Sequence, residues 1–207
     1  MTNILLHPTY LPSIASFVAI VKSNKTTFEV CDNYQKQTYR NRAFIYDSNG
    51  KLSLTIPVVY SQNNRQLYRD ILISSDENWQ DLHWKSIKSA YSNSPFFEFY
   101  EHDFQSLYNL NCKFLIEFNF KCLEVIYDSL ELPFEFDTSL CFEKELSGII
   151  DYRHLAENRK EKPQNLTTYI QVFDDKHGFI PNLSIIDLIF NEGPAAMLYL
   201  ESQNLAF

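Results

Sequence analysis

The sequence predicts an α/β fold: a single domain over residues 1–207, with a mixed, mostly parallel sheet, a β-hairpin, flanking helices and a helical C-terminal end. Two observations support this fold class. Residues 3–31 show strand, loop, helix and strand patterns in turn, and an Asn-Gly pair at positions 49–50 separates two β-prone runs. The first pattern is typical of a βαβ unit, and the second favours a hairpin.

The βαβ unit predicts where a site would lie. Asn3–Leu6 is predicted as a buried strand, apolar residues repeat at helical spacing from Ile14 to Val21 behind the N-cap Ser13, and Thr26–Cys31 is predicted as a second strand. The two strands should be parallel neighbours joined by a right-handed crossover. Ligands of open α/β sheets gather at the carboxyl ends of strands. We therefore expect the loops that follow these two strands to meet.

The remaining elements follow from periodicity and capping. Strands are predicted at 43–46, 52–58, 67–73, 134–138 and 169–173, a loop at 61–64, and helices after Asp76, after Ser94, from 111 to 130 and after Ser184. Ser184 to Asp187 resembles a capping box, and Gly193-Pro194 is predicted to end that helix and begin the last one. Residues 143–168 are dense in charges of both signs and are predicted to be a solvated, mobile connecting segment with a possible lid role.

Composition excludes several classes of protein. The formal net charge of -8 disfavours nonspecific nucleic-acid binding, which requires a basic face. The four cysteines form no Cys-x-x-Cys pair and have no histidine at zinc-ligand spacing, so we expect no metal, and buried free thiols are the simpler interpretation. Neither a signal peptide nor a transmembrane segment is indicated, which predicts a cytoplasmic protein. The cofactor and the oligomeric state are left open.

The loop from Asn33 to Arg42 is the strongest candidate site. It contains three cations, Lys36, Arg40 and Arg42, and no acid. Arginine presents a planar fork that matches phosphate or carboxylate, so the loop could clamp an anionic sugar or a nucleotide-linked sugar. The alternative is an exposed loop whose cations pair with surface acids.

Two residues near this loop are candidates for proton transfer. His7 has an ordinary pKa close to neutral pH, and Asp32 could orient it, bind a ribose hydroxyl or cap a turn. The alternative for His7 is a histidine hydrogen-bonded within a proline-flanked turn.

Polar and aromatic side chains complete the predicted substrate site. Tyr10 and Asn41 would hydrogen-bond a sugar, and Tyr34 and Tyr39 would stack on a base or sugar ring, although ordinary packing explains tyrosines equally well in a chain with 13 of them. The helix that carries His83 and Tyr91 could present an aromatic platform for a sugar or nucleotide, or could pack that face against the sheet.

The familiar catalytic motifs are missing from the sequence. There is no Gly-x-Gly-x-x-Gly, Walker loop, Gly-x-Ser-x-Gly elbow or His-Glu-x-x-His. A dinucleotide dehydrogenase, a P-loop NTPase, an α/β-hydrolase and a zincin are therefore disfavoured.

Four stretches together resemble the WbqC-like family of bacterial proteins. They are His7 to Pro12, Asp32 to Lys36 with Asn41-Arg42, Trp79 and His83 with Tyr91 and Pro95 to Phe97, and Gly178 to Leu188. The chain departs from the family pattern at His7, where the family usually has Gln, and after Pro12, where an aromatic residue and Gly are expected. The region between Thr138 and Thr168 is also shorter than in longer members.

The resemblance implies a role in the assembly or modification of bacterial surface polysaccharide (O-antigen). Combined with the basic loop, it leads us to expect a transferase that acts on an activated or acidic sugar, with a sugar or nucleotide sugar as its partner. The alternative is a non-catalytic binding or scaffolding module of envelope biogenesis. The placement of His7 and Asp32 relative to a pocket discriminates between the two.

Overall fold

The structure is a computed structural model that describes residues 2–60, 65–75, 78–159 and 162–205. The predicted loop at 61–64 and the predicted cap Asp76 lie outside the described residues. The α/β fold class is confirmed, and the parallel and antiparallel strands form separate sheets.

A four-stranded parallel sheet forms the centre of the fold. Its strands are β1 (Asn3–Leu6), β2 (Lys25–Phe28), β7 (Asp137–Thr138) and β8 (Ile150–Asp151), in the order β7-β2-β1-β8. β1 pairs in parallel with both β2 and β8, and β2 pairs in parallel with β7. From β1 the chain therefore adds strands on one side, β2 and then β7, before it places β8 on the other side.

The other strands form two antiparallel pairs. β3 (Arg42–Asp47) and β4 (Gly50–Thr55) make the predicted hairpin, with Asp47 opposite Gly50. The predicted strand 52–58 is interrupted, because Pro57 has no backbone N–H, and the chain resumes as β5 (Val58–Val59). β5 pairs with β6 (Leu72–Ile73).

Helices enclose the core. They are α1 (Ile14–Val21), α2 (Trp79–Tyr91), α3 (Phe97–Leu107), α4 (Leu115–Ser129), α5 (Asp174–His177), α6 (Ile185–Glu192) and α7 (Ala196–Ser202), with 3-10 turns at Tyr68–Asp70, Arg153–Ala156 and Gly193–Ala195. As predicted, the side chain of Ser13 caps α1, and α3 buries Phe97, Tyr100, Phe104 and Leu107. Among the described helices, none is long and apolar enough to span a bilayer.

Gly193 shapes the C-terminal helices. It caps α6 with φ of +52°, and a Cβ at this position would lie 2.5 Å from the Phe96 ring. Glycine is therefore required by both the backbone conformation and the lack of space. This confirms the predicted break between the last two helices.

Two of the predicted strands are wrong. Residues 67–73 form a 3-10 turn before the short β6, and residues 169–173 form no strand. In residues 169–173, the side-chain amide of Gln171 accepts from the backbone N–H of Ile180 at 2.9 Å and donates to its backbone oxygen at 3.1 Å. These side-chain hydrogen bonds take the place of the backbone hydrogen bonds that a neighbouring strand would make. Within the predicted connecting segment 143–168, the structure places the two-residue strand β8.

The capping box at the start of α6 is only half formed. The Ser184 side chain accepts from the backbone N–H of Ile186, as predicted. The Asp187 carboxylate, however, is fully buried and accepts hydrogen bonds from Tyr91, Tyr169 and Gln171. Its role is therefore to join α6 to distant parts of the chain.

Candidate active site

A polar cavity opens at the carboxyl ends of the parallel strands. Its volume is about 320 Å3, and it is lined by His7, Asp32, Gln35, Arg40, Phe142, Asp151, Arg153, His154 and Glu157. His7 directly follows β1, and Asp151 is the last residue of β8. These two strands flank the point where the strand order reverses, which is where α/β sheets commonly bind ligands.

A buried triad forms one wall of this cavity. Asp32 Oδ2 lies 3.0 Å from His7 Nε2 and 3.0 Å from Arg40 Nη2. The side chain of Arg40 is 1% exposed and that of Asp32 is 12% exposed, so the carboxylate is the member of this ion pair nearer to solvent. The predicted meeting of the two loops is thus found in the structure.

The triad shifts the pKa values of its members in ways that favour a neutral imidazole. Burial and the Arg40 charge lower the pKa of His7, against the opposing effect of Asp32. Burial alone would raise the pKa of Asp32, but the hydrogen bond from His7 and the His7 and Arg40 charges outweigh it and lower that pKa. Near neutral pH, the wall therefore contains a neutral histidine beside a carboxylate.

His7 Nε2 has two competing partners. Arg40 Nη2 lies 2.7 Å from this nitrogen, so Nε2 can donate to Asp32 or accept from Arg40, depending on the tautomer. His7 Nδ1 is buried and has no hydrogen-bond partner among the described residues. When Nε2 donates to Asp32, Nδ1 carries the lone pair that can accept a proton.

A second ion network also lines the cavity. Arg153 bonds Asp151 through Nε at 2.9 Å and Nη2 at 2.7 Å, and its Nη1 lies 3.4 Å from the fully buried carboxylate of Glu29. Glu29 also accepts from Ser139 Oγ at 2.6 Å. The guanidinium lies 5.0 Å from the centre of the Phe142 ring. Residues after all four parallel strands therefore build or support this cavity.

Arg40 is fixed from behind by a buried amide. Asn119 of α4 donates from Nδ2 to the backbone oxygen of Arg40 at 2.7 Å. The guanidinium of Arg40 also lies 5.7 Å from the centre of the Tyr68 ring. The orientation of the buried arginine is therefore set by the core as well as by Asp32.

The other two cations of the basic loop do not line the cavity. Lys36 Nζ lies 4.6 Å from the centre of the Tyr60 ring, and Arg42 Nε donates to Thr55 Oγ1 at 3.2 Å. Arg40 does line the cavity, but it is paired with Asp32. The structure therefore does not bring the three cations together at one anion-binding site.

Tyr10 and His83 meet in a separate buried cluster. The Tyr10 hydroxyl lies 2.9 Å from His83 Nδ1 and 2.8 Å from the Tyr108 hydroxyl. Burial lowers the pKa of His83 to about 4, so its imidazole is neutral. This cluster packs against Trp79 and Phe118 and contributes nothing to the lining of the polar cavity.

The remaining candidate residues have identifiable packing partners. Tyr34 is buried against Tyr60 and Tyr68, and Tyr39 packs on Phe44. The Asn41 amide donates to the Ile56 backbone oxygen at 2.9 Å. Tyr91 is fully buried and donates to Asp187. None of these four lines the cavity.

Sequence reasoning missed the residues contributed by β8 and by the end of β2. Glu29 falls within the predicted strand 26–31, whereas β2 ends at Phe28. Asp151 and Arg153 fall within the predicted charged segment 143–168. The Ile149-Ile150 pair followed by Asp151 and Arg153 is the pattern that could have indicated a strand ending at a charged site.

The architecture thus defines an α/β protein with a polar cavity at the switch point of a parallel sheet. The model of the WbqC-like protein family matches residues 7–160, which is more than half of the chain. The chain belongs to the WbqC-like family. No curated protein and no solved structure matches it.

Proposed function

We propose that this chain is a sugar-modifying enzyme, a transferase of bacterial surface polysaccharide synthesis, whose sugar binds in the polar cavity. The observation that carries the proposal is the convergence of His7, Asp32, Asp151 and Arg153 on one cavity at the sheet's switch point. Carboxylates and guanidinium groups beside an aromatic ring suit a ligand rich in hydroxyl groups. The assignment therefore rests on this cavity, and not on a joint anion-binding site formed by Lys36, Arg40 and Arg42.

The neutral His7 supplies a base for such a reaction. A sugar hydroxyl that attacks an activated donor must lose a proton, and an imidazole with a lone pair can accept it. Asp32, 3.0 Å from Nε2, would orient the ring and stabilise the imidazolium that forms. His7 and Arg40 together keep Asp32 ionised, so the proton remains on His7 during transfer.

Ligand binding tests the location of the site. Thermal shifts would be measured with nucleotide sugars, sugar phosphates, acyl donors and free sugars, for the native chain and for Phe142→Ala. The Phe142 ring lines the cavity and is half exposed, so its removal should weaken binding with little effect on folding. Leu140→Ala is the matched control, since Leu140 is 95% exposed and does not line the cavity.

The same screen distinguishes an enzyme from a scaffold. Pairs of stabilising donors and acceptors would be incubated with the chain, and transfer would be followed by mass spectrometry. We expect transfer that His7→Gln reduces by about 100-fold or more while ligand binding persists. Binding without transfer in any pair would favour the non-catalytic module, and equal stabilisation of Phe142→Ala and the native chain would place the site elsewhere.

A further inference from the structure

We infer that the cavity selects a sugar with a positive charge, an amino sugar whose ammonium group lies beside Glu157, over a phosphorylated sugar. This inference rests on the proposed sugar-binding function and specifies its substrate class.

The charged residues of the cavity wall have an excess of acids. Three carboxylates line it, those of Asp32, Asp151 and Glu157, against the two guanidinium groups of Arg40 and Arg153. The buried Glu29 carboxylate stands directly behind Arg153 and adds a fourth negative charge. His7 and His154 complete the titratable residues of the lining.

Neither guanidinium is available to bind a phosphate with both arms. Arg40 is buried and paired with Asp32, and Arg153 forms two bonds to Asp151. The other donors of Arg153 reach the backbone oxygens of Glu143 at 2.8 Å and Lys144 at 3.5 Å. A phosphate would have to displace these bonds and would also face the three carboxylates that line the cavity.

Glu157, in contrast, is not held in a close ion pair, although its charge acts on Arg40 at longer range. It is half-buried at the cavity wall, and it forms no ion pair within 4 Å in the described part of the chain. A carboxylate in such a position attracts a cation more strongly than one in open solvent, because nearby protein lowers the effective dielectric constant.

Within the described part of the chain, His7 adds an unpaired polar atom beside the cavity. The residue is 6% exposed, it lines the cavity, and its Nδ1 has no partner among the described residues. A buried polar atom without a partner is costly, so a ligand hydroxyl or amine that reaches Nδ1 would be favoured.

A charge series on one sugar scaffold tests the inference. Glucosamine, glucose, N-acetylglucosamine and glucose 6-phosphate would be titrated into the full chain by NMR at about pH 6.5, where an amino group of this kind is protonated. We expect glucosamine to bind at least about tenfold more tightly than glucose 6-phosphate, and raised salt to reduce that ratio. N-acetylation should remove the advantage of the amine.

Two matched variants locate the effect. Glu157→Gln should lower the preference for glucosamine at least about threefold, whereas Glu201→Gln, the same change at an exposed position of α7, should leave it unchanged. Tighter binding of glucose 6-phosphate that Phe142→Ala weakens would overturn the inference and leave the proposed function intact. Failure of all four sugars to bind would overturn both.

Discussion

Asp32 and Asp187 are both buried carboxylates, but their surroundings differ. Asp32 lies between a histidine and an arginine, and their combined effect lowers its pKa despite burial. Asp187 is surrounded by the neutral donors Tyr91, Tyr169 and Gln171, and burial raises its pKa because these hydrogen bonds do not fully compensate. The surroundings of Asp32 therefore stabilise its charged form, whereas the surroundings of Asp187 destabilise its charged form.

The Asp32 and Asp187 clusters also differ in location, which distinguishes a candidate site from a cluster that joins parts of the structure. The Asp32 cluster lines a cavity at the edge of the sheet, where a charged group can act on a ligand. The Asp187 cluster lies in the interior and connects α6, α2 and the segment around Gln171. Burial of an acid alone therefore does not indicate a functional residue, whereas burial with charged partners at a cavity makes Asp32 a candidate.

Loss of Arg40 should have the largest effect on folding. Arg40→Met leaves the Asp32 carboxylate beside a neutral histidine only, and breaking a buried ion pair costs about 3 to 5 kcal/mol of unfolding free energy. Arg42→Met is the control, since its guanidinium bonds Thr55 at the surface and should cost less than about 1 kcal/mol. Urea denaturation measures both, and equal losses would contradict the distinction between the two arginines.

The two aspartates should respond to pH in opposite ways. For Asp32 the folded pKa is lowered, so its stabilisation is present above the unfolded pKa of about 4 and is lost in acid. For Asp187 the folded pKa is raised, so the native chain loses stability as the pH rises from about 4 towards that folded value. The cost of Asp32→Asn should therefore grow with pH, and that of Asp187→Asn should shrink.

This prediction is measured by urea denaturation of the native chain and both variants from about pH 3.5 to 7.5, a range that spans the ordinary carboxyl pKa. We expect each substitution to lower the free energy of unfolding by about 1 to 3 kcal/mol at the pH where the replaced carboxyl group is most stabilising, because buried donors lose a partner. Slopes of the same sign for the two variants would show that Asp187 is ionised as readily as Asp32.

Removal of one hydroxyl from the Asp187 cluster should have the smallest effect. The Tyr91 hydroxyl donates to Asp187 and accepts from the backbone N–H of Tyr46, so Tyr91→Phe leaves both groups short of a partner. We expect the free energy of unfolding, measured by thermal or urea denaturation, to fall by about 1 to 2 kcal/mol. Tyr60→Phe, at a half-buried ring that packs on Tyr34, should change stability by less than about 0.5 kcal/mol.

The sequence predicted the elements whose patterns are long or locally determined. Residues 3–28 form the expected βαβ unit, and the Asn-Gly turn forms the expected hairpin. Of the predicted strand 134–138 only the exposed β7 forms, and β8 is also exposed and, with two residues, too short to show an alternating pattern. The position of β8 depends on pairing with a strand near the N-terminus, which local sequence does not encode.

The candidate site divides in the same way. The approach of His7 to Asp32 could be predicted, because it requires only that two neighbouring parallel strands end at one edge. The contributions of Asp151 and Arg153 could not, since they depend on β8. Nor could the pairing of Arg40 with Asp32 be foreseen, because loop periodicity does not show which of three cations turns inward.

The pairing of β8 with β1 also constrains how this protein reaches its working form. Ile150 lies opposite Ile4 in the sheet. Two segments far apart in the sequence must therefore meet before Asp151 and Arg153 can line the cavity. During synthesis the first two parallel strands can emerge and pair early, yet the cavity remains open until residues 150–157 leave the ribosome. Such a late, long-range closure is slow compared with local contacts, so a nascent chain that has not reached residue 150 carries His7 and Asp32 without the complete cavity.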